Sequence, residues 1–145
     1  MSGMKYKFGA FMFVALLTVP PIGWAGETAM DKAIKEGARQ LNADEIVDQF
    51  VGNTGTWVSP SGDKKIAIYY GENNDLHAEK LGGGWTGEGY YGIANTDDIC
   101  ISWNGSDKGR LRCLDVLVVG GVVTKFNVDG SLNGTYDGFV GGKTF

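Results

Sequence analysis

The 145-residue chain predicts a mainly β fold: a small antiparallel, lipocalin-like barrel of about eight strands, preceded by one or two short helices. Three observations carry this. The hydrophobic period changes from helical to two at Thr54. The short apolar runs that follow are separated by turn sequences, many drawn from the chain's 24 glycines. Two cysteines, Cys100 and Cys113, fall at matching places on successive strands. A β-sandwich is the alternative arrangement of the same elements. Closing the meander into a barrel removes the exposed strand edges that a sandwich keeps.

Residues 1–25 read as a secretory signal peptide. Lys5 and Lys7 supply a positive start, an apolar run extends from Phe8 to Val19, and Pro20-Pro21 breaks it. Gly23 and Ala25 place small residues at −3 and −1 of a cut before Gly26. The apolar run is too short for a transmembrane helix, which needs about 20 residues. The expected location is therefore periplasmic or secreted. All 17 acidic residues follow the cut, whereas two of the 13 basic ones precede it. An acidic, exported chain without a basic stripe makes nucleic acid and anionic lipid poor partners.

Residues 26–41 are expected to be helical, with Met30, Ile34, Ala38 and Leu41 on one side. Gly37 weakens this helix by about 1 kcal/mol relative to Ala. Residues 42–145 form the single barrel domain with its capping helix. That helix starts at Asn42, which can cap it, with Glu45 closing a capping box. Leu41 and Ile46 stand as a hydrophobic staple, Ile46, Val47 and Phe50 form the apolar side, and Gly52 ends the helix.

The strands are expected at Thr54–Ser59, Lys64–Tyr70, Leu76–Leu81, Gly84–Ile93, Ile99–Trp103, Arg110–Val119, Val122–Val128 and Ser131–Asp137. Gly120-Gly121 between two Val-rich runs marks a two-residue hairpin. If Trp103 pairs with Arg110 across the fifth turn, Cys100 lies directly opposite Cys113, where a disulfide can close. On the chain-entropy model that bridge contributes about 3 kcal/mol. A catalytic dithiol would have closer spacing, as in CxxC.

The catalytic inventory is thin. His77 is the single histidine, placed on the polar side of a strand, so a Ser-His-Asp arrangement has one available base. Bridged cysteines offer no nucleophile. A zinc site needs several Cys or His ligands, and no residue pattern calls for a metal or another cofactor. Asn127-Val128-Asp129-Gly130-Ser131 only faintly resembles a calcium loop. Lys125 and Tyr136 stand where its first Asp and final Glu belong, so it reads as a hairpin turn. Glu88, among aromatic residues, is the one carboxylate with the setting of a glycosidase acid, but period two puts it opposite the face of Trp85 and Tyr91.

Aromatic residues remain. Trp57, Tyr70, Trp85, Tyr91 and Trp103 all fall in predicted strands, and Gly87 and Gly89 leave room beside the rings of Trp85 and Tyr91. Trp57, Tyr70, Trp85 and Tyr91 are the candidate ligand-binding residues. The same pattern also describes a small barrel accommodating large side chains in a filled core. The expected function is a binding module for a small apolar or amphipathic ligand. The alternative is a protein-interaction module, such as a periplasmic hydrolase inhibitor or an envelope-associated factor.

Leu41-Asn42-Ala43-Asp44-Glu45-Ile46, Phe50-Val51-Gly52-Asn53-Thr54, Gly84-Trp85, Cys100-Ile101-Ser102-Trp103 and Arg112-Cys113 occur in an order that resembles a family of small exported bacterial proteins catalogued as a domain of unknown function. The resemblance runs from Leu41 to the C-terminus. It implies a lipocalin-like barrel and no established activity, so it assigns no functional residue. The turn from Asn104 to Gly109 is longer than that family's pattern. Gly55-Thr56-Trp57 also resembles the G-x-W that opens the first strand of lipocalins. That likeness implies a structural tryptophan at the closed end of the barrel.

Overall fold

The computed structural model describes Gly23 and residues 25–145. The signal peptide expected over residues 1–25 therefore lies almost wholly outside the described residues. The described chain runs α1 (Ala29–Lys35), β1 (Arg39–Gln40), α2 (Ala43–Phe50), β2 (Asn53–Val58), β3 (Lys65–Tyr70), β4 (Asp75–Lys80), β5 (Thr86–Ala94), β6 (Asp98–Trp103), β7 (Arg112–Val119), β8 (Val122–Phe126) and β9 (Leu132–Gly141). Strands β2 to β9 each pair antiparallel with the next, and β9 returns to β2. The result is the expected closed eight-stranded up-and-down barrel. No described helix is long and apolar enough to cross a membrane.

The first helix is shorter than its spacing implies. Thr28 caps it and Asp31 completes a capping box. Gly37 then turns left-handed at φ 101°, and the amides of Gly37 and Ala38 bond back to the carbonyls of Ile34 and Ala33. Beyond that turn the chain extends. Arg39 and Gln40 form β1, which pairs with Val118 and Leu117 of β7 beyond the point where β6 stops. Leu41 is thus buried in the barrel core rather than on a helix face. Helix α1 lies outside the barrel, where Ala33 packs with Leu117 and Phe126.

The second helix forms as its capping signal predicts. The Asn42 side chain accepts from the Glu45 amide, and the Glu45 carboxylate accepts from the Asn42 amide. Ile46 and Phe50 are fully buried, while Val47 points to solvent. Phe50 meets the rings of Tyr70, Tyr136 and Phe139 edge-on, at centroid distances of 4.9, 5.4 and 5.1 Å. Helix α2 therefore closes the end of the barrel at which β2 starts and β3 finishes.

The Gly120-Gly121 hairpin is present, with both glycines at positive φ. Cys100 lies opposite Cys113 and the disulfide is closed on the outer face. The β6–β7 ladder ends at Ile101 opposite Arg112, so Trp103 and Arg110 do not pair. A single 3-10 turn, Asp107–Gly109, intervenes, and Asp107 and Lys108 both adopt left-handed φ. Replacing both cysteines by serine is expected to lower the unfolding free energy by about 3 kcal/mol. Urea denaturation checks this, and an unshifted midpoint would show that the pairing of β6 with β7 holds without the bridge.

Candidate functional site

The barrel is filled at the α2 end and hollow at the other. The hollow end holds a cavity of about 320 Å³. Period two brings its wall together from separate strands: Trp57 from β2, Ile66 and Ile68 from β3, Ile101 and Trp103 from β6, and Leu114 from β7. Trp85 is not on a strand. Gly82, Gly83 and Gly84 all take positive φ in the turn before β5, and this turn carries the Trp85 ring back over Gly87. A methyl group on Gly87 would overlap that indole. Gly134 plays the same part for Trp57. Trp85 and Trp103 meet edge-on at 6.2 Å. Trp57, Trp85 and Trp103 are all the tryptophans among the described residues, and all three line this cavity.

The polar part of the wall has two levels. At the rim, the Asp107 carboxylate accepts from Arg110 at 2.6 Å and from the Arg112 Nε at 2.6 Å. These guanidinium groups hold the Asp107 carboxyl below the usual range. Deeper, Lys125 of β8 points inward and is only 3 % exposed. Its Nζ lies 5.2 Å from the centre of the Tyr136 ring. It makes no ion pair or side-chain hydrogen bond with the described residues. Every wholly enclosed side-chain nitrogen or oxygen among those residues has a partner. The Lys125 amine therefore opens onto the cavity it lines. Burial brings its pKa down to about 7.

Below Lys125 the floor is closed by a tyrosine layer. The hydroxyls of Tyr70 and Tyr136 share a 2.5 Å hydrogen bond, and the Tyr91 hydroxyl donates to the Gly71 carbonyl at 2.7 Å. Burial raises the pKa of both Tyr70 and Tyr136, and that of Tyr91 to about 12. These groups stay protonated at neutral pH.

Of the four residues singled out from sequence, Trp57 and Trp85 line the cavity, whereas Tyr70 and Tyr91 belong to the packed core beneath it. Trp57 lies at the open end, not at the closed end that the lipocalin likeness implies. The reason is that α2 precedes β2 and seals the end where that strand begins. Glu88 faces outward. Its carboxylate lies 3.9 Å from His77, whose other ring nitrogen bonds Asp75 at 2.7 Å. Asn127 to Ser131 form the β8–β9 turn, and the Gly130 carbonyl there accepts from the Met30 amide of α1.

Sequence reasoning missed Lys125, the rim pair Arg110 and Arg112, and the place of Trp103 beside Trp85. Counting by two from Val123 puts Lys125 on the inner face. That signal is masked because Thr124 and Phe126, on the outer face, are also buried. No protein-family model, curated protein or solved structure matches this chain. The cavity and its lining are thus the basis for a functional reading.

Proposed function

We propose that this protein is an exported binding protein whose barrel holds a small apolar or amphipathic molecule at its open end. The cavity carries this reading: about 320 Å³, walled by three indoles, three isoleucines and Leu114, with a few polar groups placed at separate heights. This is the lining typical of a small-molecule pocket, in which apolar area supplies affinity and sparse polar groups fix orientation. The disulfide agrees with an oxidising compartment, as does the leader-like pattern of residues 1–25. The order of segments from Leu41 to Cys113 further supports placing the chain with small exported bacterial barrels.

Because every described tryptophan lines the cavity, intrinsic fluorescence reads occupancy directly. An uncharged probe such as N-phenyl-1-naphthylamine is expected to bind and to quench that emission. Ile66, half-buried at the open end, offers a way to fill the space. In Ile66→Trp the probe affinity should fall at least tenfold while the far-ultraviolet circular dichroism stays unchanged. A wild-type protein that binds neither this probe nor any molecule retained through purification would overturn the reading. Recovery of an envelope protein on an empty barrel would favour the protein-interaction alternative instead.

A further inference from the structure

We propose that the ligand of this cavity is an amphipathic molecule with a single carboxylate head, which pairs with the Lys125 ammonium while its apolar body lies among Trp57, Trp85 and Trp103. This inference rests on the binding reading above and adds the chemical class of the ligand.

Three features of the cavity support it. First, Lys125 is an amine at 3 % exposure with no acidic partner among the described residues. An ammonium removed from water is costly unless paired, and a structural lysine normally meets that cost with a nearby carboxylate. Here the amine opens onto the cavity, where a carboxylate that enters can supply that partner. Second, the lining contains Arg110, Arg112 and Lys125 against the single carboxylate of Asp107. Asp107 engages both arginines at the rim and leaves Lys125 uncompensated. The cavity is therefore positive inside a chain of formal charge −4, an arrangement that draws an anion to this end of the barrel. Third, the volume of about 320 Å³ admits about ten water-sized groups. That suits a medium alkyl chain or one ring system, with its head at the depth of Lys125.

Protons take part in this recognition. The free amine is largely uncharged above neutral pH, because burial has brought its pKa to about 7. A bound carboxylate favours the ammonium, so binding takes up a proton, and affinity for the acid falls as pH rises. The other charged groups lining the cavity are Asp107, Arg110 and Arg112, and the two guanidinium groups hold the Asp107 carboxyl below its usual range. Tyr136, the ring beneath the amine, has its pKa raised and stays neutral.

The test compares decanoate with 1-decanol, which share an alkyl chain and differ in the head. Tryptophan fluorescence titration should show decanoate binding at least tenfold tighter at about pH 6.5. In Lys125→Met that preference should vanish through weaker decanoate binding, with 1-decanol unaffected, whereas Lys125→Arg should retain it. In the wild type, decanoate affinity should fall between about pH 6 and about pH 9 while that of 1-decanol stays flat. This last comparison needs no variant to fold. Equal affinity for the two molecules, or a preference for decanoate that survives in Lys125→Met, overturns the head-group assignment and leaves the binding reading intact. Failure of both molecules to bind overturns the two together.

Discussion

Phe50→Ala is expected to destabilise the protein by about 3–5 kcal/mol, the range for emptying a fully buried aromatic site. Phe50 is the point where α2 enters the barrel, and its ring meets Tyr70, Tyr136 and Phe139. Truncation removes three edge-on aromatic contacts at once. It also leaves a void whose walls are held by the closed ladder and cannot collapse. For a domain with a total stability of about 5–15 kcal/mol, this is a large share. Urea denaturation of both proteins measures it. A loss below about 1 kcal/mol would mean that α2 is not what closes this end.

Lys125→Met is expected to act in the opposite direction, and its effect depends on pH. Burial lowers the folded-state pKa of the amine from 10.5 to about 7. Between those values the unfolded chain holds the proton and the folded chain does not. Wild-type stability therefore falls as pH drops through the window, with a slope of at most about 1.4 kcal/mol per pH unit, and levels off below about 7. Methionine has a similar length and no charge to desolvate. The variant should be slightly different from wild type near pH 10 and clearly more stable near pH 7. Thermal unfolding of both proteins across this range tests the sign. Parallel stability curves would show that water in the cavity already solvates the ammonium fully. A variant that is more stable near pH 7 is the usual mark of a functional group held at a cost to the fold.

The sequence made the barrel legible because its local signals agree with one another. Asn42 and Glu45 state where α2 begins, Gly120-Gly121 states one hairpin, and opposing Cys100 to Cys113 fixes the register of another. Each is a short-range rule with a single geometric answer. The misreadings came where a long-range neighbour decided the outcome. Leu41 follows helical spacing, yet it enters the core because Gly37 redirects the chain and β7 has a free stretch of edge for β1. Tyr70 and Trp57 look alike on paper as aromatic strand residues. They differ in setting because α2 fills one end of the barrel and no described residue fills the other. Lys125 was hidden for a related reason. Thr124 and Phe126 are buried on the outer face, Phe126 against Leu117 under α1, so the alternation that would have exposed an inward lysine is absent from the local pattern.

The glycines at 87 and 134 carry a consequence for how such a barrel can be retuned. Each marks the spot where an indole leans back against the wall. The bore of the open end is thus set by two positions that contribute no side-chain atoms to it. At 134 a backbone carbonyl of β2 also stands close, so that position is fixed by strand pairing as well. At 87 the atoms nearest an added carbon all belong to the Trp85 ring, which sits on a turn. A single added carbon there pushes the ring inward like a wedge, narrowing the lumen without touching Lys125 or the rim. Calibre and charge can therefore vary separately in this molecule, one through a position that has no side chain and the other through an amine that has no partner among the described residues.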